Sequence, residues 1–384
     1  MPILGGLMGS TSQTEQHLSD IISKFDIDDM IVSAKPFGSG HINDTYRLLN
    51  QDEYGNDYLL QRINHHVFKD VALLMNNLLQ VTRHLKQKLS AVPGADATQN
   101  VLTIIHARTG ETFFEDADGN FWRMFYFLKG TRSYDQVTTE TQAFEGGKAF
   151  GRFQTQLADL DTSLIKDTIP DFHNIAYRLQ NLENAIERNA AGRLSEVLPE
   201  VDFISRRAED MQQILLLGKN GLLPLRIVHN DTKFNNVLLD GDDKAQCVID
   251  LDTVMPGYVA YDFGDSIRTI INTAAEDEAD LSVINLNLKL FEAYTRGYLQ
   301  ESVAFLEKME IDTLINGVLL LPYIQAVRFL TDYLEGDVYF KIHSPSHNLQ
   351  RTRAQLALVK KLEDNKAILE HIIQDTRQSF KAKI

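Results

Sequence analysis

The run His229-Asn230-Asp231-Thr232-Lys233-Phe234-Asn235-Asn236, followed by Val248-Ile249-Asp250-Leu251-Asp252, constrains this chain more than any other stretch. Between the two halves lies Asp240-Gly241-Asp242-Asp243, strong turn chemistry between the apolar strand Val237-Leu238-Leu239 and the return strand Gln246-Cys247-Val248-Ile249. Folding about that turn brings Asn236 and Asp250 to the open end of one hairpin, where facing residues lie roughly 4.5–5.5 Å apart. Asp231 falls just upstream, in the loop that faces the same point. Phosphoryl transfer from a nucleotide requires a carboxylate to take a hydroxyl proton, oxygen ligands for magnesium and a cation for the phosphates. Either half alone is ordinary hairpin chemistry. The two in order, joined by a hairpin of this length, point to a site.

His-x-Asp-x-Lys-x-x-Asn, with a following strand that ends in Ile249-Asp250, resembles the pattern of the aminoglycoside phosphotransferase/choline kinase superfamily. The longer string through Leu251-Asp252-Thr253-Val254-Met255-Pro256-Gly257 and Tyr261-Asp262-Phe263-Gly264-Asp265 looks most like the N-acetylhexosamine 1-kinases within it. The similarity extends from near Gly38 to near Arg351. This resemblance implies an α+β, protein-kinase-like two-lobe fold, with a small antiparallel-sheet lobe and a large, mainly helical one. It also implies Asp231 as catalytic base, Asn236 and Asp250 as Mg2+ ligands, ATP as co-substrate and an anomeric sugar hydroxyl as acceptor. Lys233 either neutralises the transferring group or pairs with Asp231. His229, Asp252 and Asp262 read as supporting groups, Asp262 as a brace for the catalytic loop or as the N-cap of the helix that follows.

At 384 residues the chain is long enough for a core divided between two lobes. Its formal net charge of −15 argues against a nucleic-acid backbone or an anionic membrane as the main partner. A nucleotide site is local and brings its own cation, so it is not excluded. Cys247 is the only cysteine, which rules out an intrachain disulfide and reads as a small core residue. The start of the chain has no basic leader, and no apolar run is expected to reach membrane-spanning length. A cytoplasmic enzyme is the resulting expectation. The oligomeric state is not legible.

Residues 1–26 read as an extension with a short helix at 16–25, residues 27–130 as a nucleotide-binding lobe, and 131–384 as a helical lobe with the catalytic loop and acceptor site. A strand at 30–37 leads into Gly38-Ser39-Gly40-His41, where glycines let backbone amides approach phosphate oxygens. His41 is expected to face the acceptor or the transferred phosphate. The strand at 58–63 offers Gln61-Arg62 where kinase-like folds carry a phosphate-binding cation, and Arg62 is the expected inward-facing member. The helix at 70–89 contains no glutamate, so the lysine–glutamate pair of protein kinases is absent. Phe125-Tyr126-Phe127-Leu128-Lys129-Gly130 reads as the hinge, with the backbone of Phe127 and Leu128 near adenine.

In the second lobe, helices are expected at 140–160, 174–189, 202–217, 283–306, 311–334 and 348–375. The acidic cluster Glu276-Asp277-Glu278-Asp280 is expected to be a solvated helix start. Gln325, Arg328, Asp332 and Tyr333 share a helix face, and Arg328 with Tyr339 is expected to line a polar sugar pocket. Three other functions stay open: an amino-alcohol kinase, an aminoglycoside kinase served by the acidic cluster, and a catalytically silent kinase fold used for binding.

Overall fold

The structure is a computed structural model that describes residues 13–38 and 42–381. It divides into two compact units, the first running to Arg132 and taking in Ser163–Ile169, the second comprising Ser133–Thr162 and Pro170–Ile384.

The first unit opens with α1 (Gln13–Ile22) and contains β1 (Ile31–Pro36), β2 (Asp44–Asn50), β3 (Tyr58–Ile63), α2 (Val71–Ser90), α3 (Ala97–Asn100), β4 (Ile104–Ile105), β5 (Phe114–Glu115) and β6 (Phe121–Tyr126). The strands form one antiparallel sheet in the order β1-β2-β3-β6-β4, with β5 also on β6. Alternation along the strands sends Leu48, Tyr58, Leu60, Trp122 and Met124 to one face, where Leu18, Ile21 and Ile22 of α1 cover them. α2 begins at Asp70, whose side chain caps the Leu73 N–H at 2.9 Å, and buries Val71, Leu74, Leu78, Val81 and Leu85. Asn77 of α2 is buried and holds both the N–H and the C=O of Lys166, at 3.2 and 2.7 Å. That pair fastens the short returning segment to this unit.

The second unit is mainly helical: α4 (Glu140–Leu157), α5 (Ile175–Arg188), α6 (Leu198–Ser205), α7 (Gln213–Lys219), α8 (Val259–Ile270), α9 (Leu288–Ser302), α10 (Lys308–Asp312), α11 (Leu314–Glu335), α12 (His347–Asp364) and α13 (Lys366–Lys381). Two small antiparallel ribbons sit among them. β7 (Arg226–Val228) pairs with β10 (Met255–Gly257), and β8 (Val237–Leu239) with β9 (Ala245–Val248).

α11 corrects one expectation: it is long and apolar enough, by length and composition, to cross a membrane. Yet 78% of its most apolar window is buried inside the unit, where α5, α8 and α12 pack around it. Its contact with α8 is a backbone approach, since a Cβ on Gly264 would meet the Gly317 carbonyl oxygen at 2.2 Å.

Several expected helices are shorter or broken. The 202–217 stretch is split between α6 and α7 where Arg207 turns out to grip Glu363 at 2.7 and 2.9 Å. The expected 283–306 helix starts only at Leu288, where the Asn287 side chain caps the Leu290 N–H. The expected final helix breaks at Asn365, whose amide bonds the Lys361 carbonyl at 2.8 Å. Only the last member of the acidic cluster is a solvated helix start: exposed Asp280 caps the Ser282 N–H at 3.0 Å. Glu276 pairs with the buried Arg268 at 2.5 Å and Asp277 with His347 at 3.1 Å.

Candidate active site

β7 delivers the chain into residues 229–236, and the backbone there is pinned on every side. The carboxylate of Asp262, buried in the first turn of α8, accepts the N–H groups of His229 and Asn230 at 2.8 and 2.7 Å, and the Gln154 amide at 2.6 Å. The N-cap of α8 is Tyr258, so Asp262 braces the loop and does not cap the helix. Burial pushes its pKa up, against the pull of these donors. Asn230 adopts a left-handed conformation, φ +64°, which asparagine tolerates better than other non-glycine residues. Its amide reaches the Thr253 carbonyl at 3.0 Å, while its own carbonyl accepts from His173 Nε2 at 2.9 Å. His229 donates from Nε2 to the Ile249 carbonyl at 2.9 Å and accepts the Asp231 N–H at Nδ1, 3.3 Å away, a pattern that matches one neutral tautomer.

Asp231 therefore projects from a fixed loop. Lys233 Nζ lies 3.1 Å from Asp231 Oδ1, so the lysine pairs with this carboxylate. Asp231 Oδ2 has a long 3.4 Å contact to the Asn236 amide, which is closer, at 2.7 Å, to the Asp231 carbonyl. Burial would raise the Asp231 pKa, but Lys233, with His229 and Arg268 adding to it, holds the carboxylate below its ordinary range. Lys233 is itself pushed up, first by Asp231, with Asp265 and Glu276 adding to it. Those two acids clamp the buried Arg268: Asp265 at 2.8 Å and Glu276 at 2.5 Å.

The hairpin register is Val237 opposite Val248, and the Ile249 N–H bonds the Asn236 carbonyl at 2.9 Å. Asp250 follows at once in a left-handed conformation, φ +58°. Asn236 and Asp250 thus stand at the open end of the β8–β9 hairpin, with Asn236 in contact with Asp231. Asp252 is buried in the next turn. The amide nitrogen of Asn236 faces Asp231, which leaves its oxygen as a hard donor. Together with a carboxylate this suits Mg2+, which commonly takes one or two protein ligands and completes its shell with phosphate and water. Among the described residues no group of three or more His, Cys, Asp or Glu could hold a metal ion by itself.

In the first unit, Gly38 has φ +83°, a conformation that glycine alone adopts freely. Ser39, Gly40 and His41 lie outside the described residues. Arg62 needs correction. It is exposed and paired with Asp44, and the inward member is Gln61, which accepts from Arg123 Nε at 2.9 Å and donates to Thr45 at 3.0 Å. Arg123 is a buried cation on the same face as Gln61 that the sequence reading did not single out. It lies opposite Gln61 in the β3–β6 register and reaches Met75 of α2. At the hinge, the Phe127 N–H is taken by the Asp57 carbonyl at 2.9 Å and the Leu128 carbonyl by Thr131 at 2.7 Å. The Phe127 C=O and Leu128 N–H are the backbone groups of that pair outside these two bonds. Arg328 and Tyr339 do meet, with the guanidinium carbon 5.9 Å from the ring centre. His173, Gln154, Asp265 and Arg268 also went unnoticed in the sequence. The signal for Asp265 alone was present, in the string that follows Asp262.

The model of the Phosphotransferase enzyme family (APH) matches residues 33–300. Among solved structures, the amicoumacin kinase hAmiN, determined with AMP-PNP, Ca2+ and Ami, superposes with a TM-score of 0.58 at 15% identity, over 89% of this chain and 93% of that one. An aminoglycoside phosphotransferase from Alicyclobacillus acidocaldarius gives 0.59 at 13% identity, covering 95% and 98%. A choline kinase from Cryptosporidium parvum gives 0.54 at 16%, covering 92% and 97%. At such identities these likenesses establish the kinase-like α+β fold. The family match spans well over half of the sequence, and with it this chain belongs to the APH phosphotransferase family, within the aminoglycoside phosphotransferase/choline kinase superfamily.

Proposed function

We propose that the protein transfers the γ-phosphoryl group of ATP to a hydroxyl of a small sugar, most specifically the anomeric hydroxyl of an N-acetylhexosamine, giving the sugar 1-phosphate. The observation that carries a phosphoryl-transfer reading is Asp231 itself: a carboxylate kept ionised by Lys233, on a loop whose backbone is bonded to Asp262, His173 and Thr253. Asp231 accepts the proton of the attacking hydroxyl. Lys233 steadies the carboxylate and lies within reach of the charge that develops beside it. Asn236 and Asp250 would hold Mg2+, which when bound neutralises phosphate oxygens.

Two features favour a neutral or anionic acceptor over choline or an aminoglycoside. Half of the acidic cluster that could have met a polycation is committed, Glu276 to Arg268 and Asp277 to His347. The aromatic rings Phe172, Tyr339 and Phe340, which could have walled a quaternary ammonium, surround the guanidinium of Arg328 instead. The sugar itself is argued from the sequence resemblance, and cytoplasmic residence remains part of the same proposal.

The test is ATP consumption with a panel of free sugars, followed by phosphorus NMR of the product. We expect an N-acetylhexosamine 1-phosphate. A 6-phosphate would reject the regiochemistry, and no sugar-dependent consumption would reject the acceptor class. Asp231→Asn should lower turnover by roughly 10²–10⁴ while nucleotide binding persists. Retention of most of the activity would remove Asp231 from the role of base.

A further inference from the structure

In the second unit, Arg178 of α5 and Arg328 of α11 line one cavity of about 170 Å3, with Asn181, Thr331, Asp332, Glu335, Tyr339 and Phe340. Two guanidinium groups facing one small space need compensating charge, yet neither forms an ion pair within 4.0 Å among the described residues. The nearby acids are engaged elsewhere. Asp332 accepts the N–H groups of Val338, Tyr339 and Phe340 and the Asn348 amide, at 2.8–3.0 Å. Glu335 pairs with Arg188.

What holds the arginines is neutral. Arg328 lies against the rings of Phe172, Phe340 and Tyr339 at 5.5, 5.4 and 5.9 Å and bonds the Gln325 side chain at 3.2 Å. Arg178 donates twice to the Phe172 carbonyl, at 3.3 and 3.0 Å. Burial, followed by the charge of Arg328, pulls the Arg178 pKa down to about 10. Flat donor forks shelved on aromatic rings, with no carboxylate directly paired to them, are what a carboxylate or phosphate recognises. The two arginines are also tied to the catalytic loop through Phe172 and His173. Phe172, gripped by both arginines, precedes His173, which bonds the carbonyl of Asn230 next to Asp231.

We propose that Arg178 and Arg328 form an anion-binding subsite that receives a carboxylate or phosphate carried by the acceptor. The assignment to the acceptor rests on the sugar-phosphotransfer reading above. It makes the preferred acceptor a hexosamine with an acidic substituent, with its reacting hydroxyl toward Asp231 and its anion toward the arginines.

The test compares N-acetylglucosamine, its 6-phosphate and a 3-O-carboxyalkyl ether of it as acceptors with ATP. One charged form should exceed the neutral sugar in kcat/KM by on the order of ten-fold or more, as bidentate charge-assisted bonds allow. Whichever of the two is preferred tells carboxylate from phosphate. Arg178→Gln and Arg328→Gln should each abolish that preference, and Arg328→Lys should retain part of it. If the neutral sugar performs as well as both charged forms, or the preference survives both glutamine variants, the subsite is overturned. If no sugar turns over, the sugar-kinase reading falls, and the subsite is judged by calorimetry with inorganic phosphate and acetate alone. Binding of either that is lost in both glutamine variants supports it, and no binding or unaltered binding overturns it.

Discussion

His173 illustrates how a single buried side chain can tie stability to the loop that carries the chemistry. Its Nε2 donates to the Asn230 carbonyl, its ring lies against Phe172 and Tyr261, and its Nδ1 has no partner. Burial lowers its pKa from 6.5 to about 4, so the folded protein keeps it neutral while the unfolded chain protonates near the ordinary value. The sign follows: below pH 6.5 the unfolded state binds the extra proton, and stability falls as pH drops from there toward 4. Between pH 7 and pH 5 this one residue should account for about 2 kcal/mol of lost unfolding free energy. Urea unfolding of the wild type and His173→Gln at both pH values checks it, because the variant should lose correspondingly less. Equal losses would show that His173 is not the responsible group. The residue also marks where the sequence ran out. Asp231, Lys233, Asn236 and Asp250 were legible because one hairpin and its approach loop hold them together. His173 sits 57 residues before the carbonyl it supports, and no local spacing announces such a bond. Arg62 was misread for a related reason, since strand alternation says that one of two neighbours faces inward but not which.

At the scale of elements, the catalytic loop is held through α8, and α8 is seated on α11 by two glycines. A Cβ on Gly317 would come within 1.8 Å of the Ala260 carbonyl oxygen, against backbone that cannot turn aside as a side chain can. Gly317→Ala must therefore push α8 away, and α8 carries Asp262, Asp265 and Arg268. Overpacking of this kind typically costs about 1–3 kcal/mol. We expect that loss in chemical denaturation, together with a fall in kcat from displacement of the Asp262 brace. An alanine variant with unchanged stability and turnover would mean that the two helices can part without consequence. The elements themselves were legible where one apolar face ran unbroken, as in α2 and α11. They were misjudged at Arg207, where a tertiary bond to a partner far away in sequence interrupts a helical pattern, and at Asn365, where the stop is a local side-chain cap within a charged run.

For the whole molecule the deciding quantity is charge. The chain carries a formal −15, and three of its acids, Asp231, Asp250 and Asp252, belong to the candidate site. Lys233 is paired with Asp231 and Arg268 with Asp265 and Glu276, so neither is a free counter-charge for a polyphosphate. An ATP tetra-anion without a metal meets this field unfavourably, and a divalent cation on Asn236 and Asp250 reverses the local sign. Nucleotide binding should then be metal-linked. At a nucleotide concentration about 100-fold above Kd, MgATP should stabilise the fold by about 2.7 kcal/mol, seen as a rise in Tm. Chelation with EDTA should remove most of that rise, and Asp250→Ala should lose it even with magnesium present, while the Tm of the nucleotide-free variant reports any separate structural cost. A rise of equal size with and without magnesium would exclude the metal-ligand roles of Asn236 and Asp250. It would require the phosphates to be neutralised by protein cations alone.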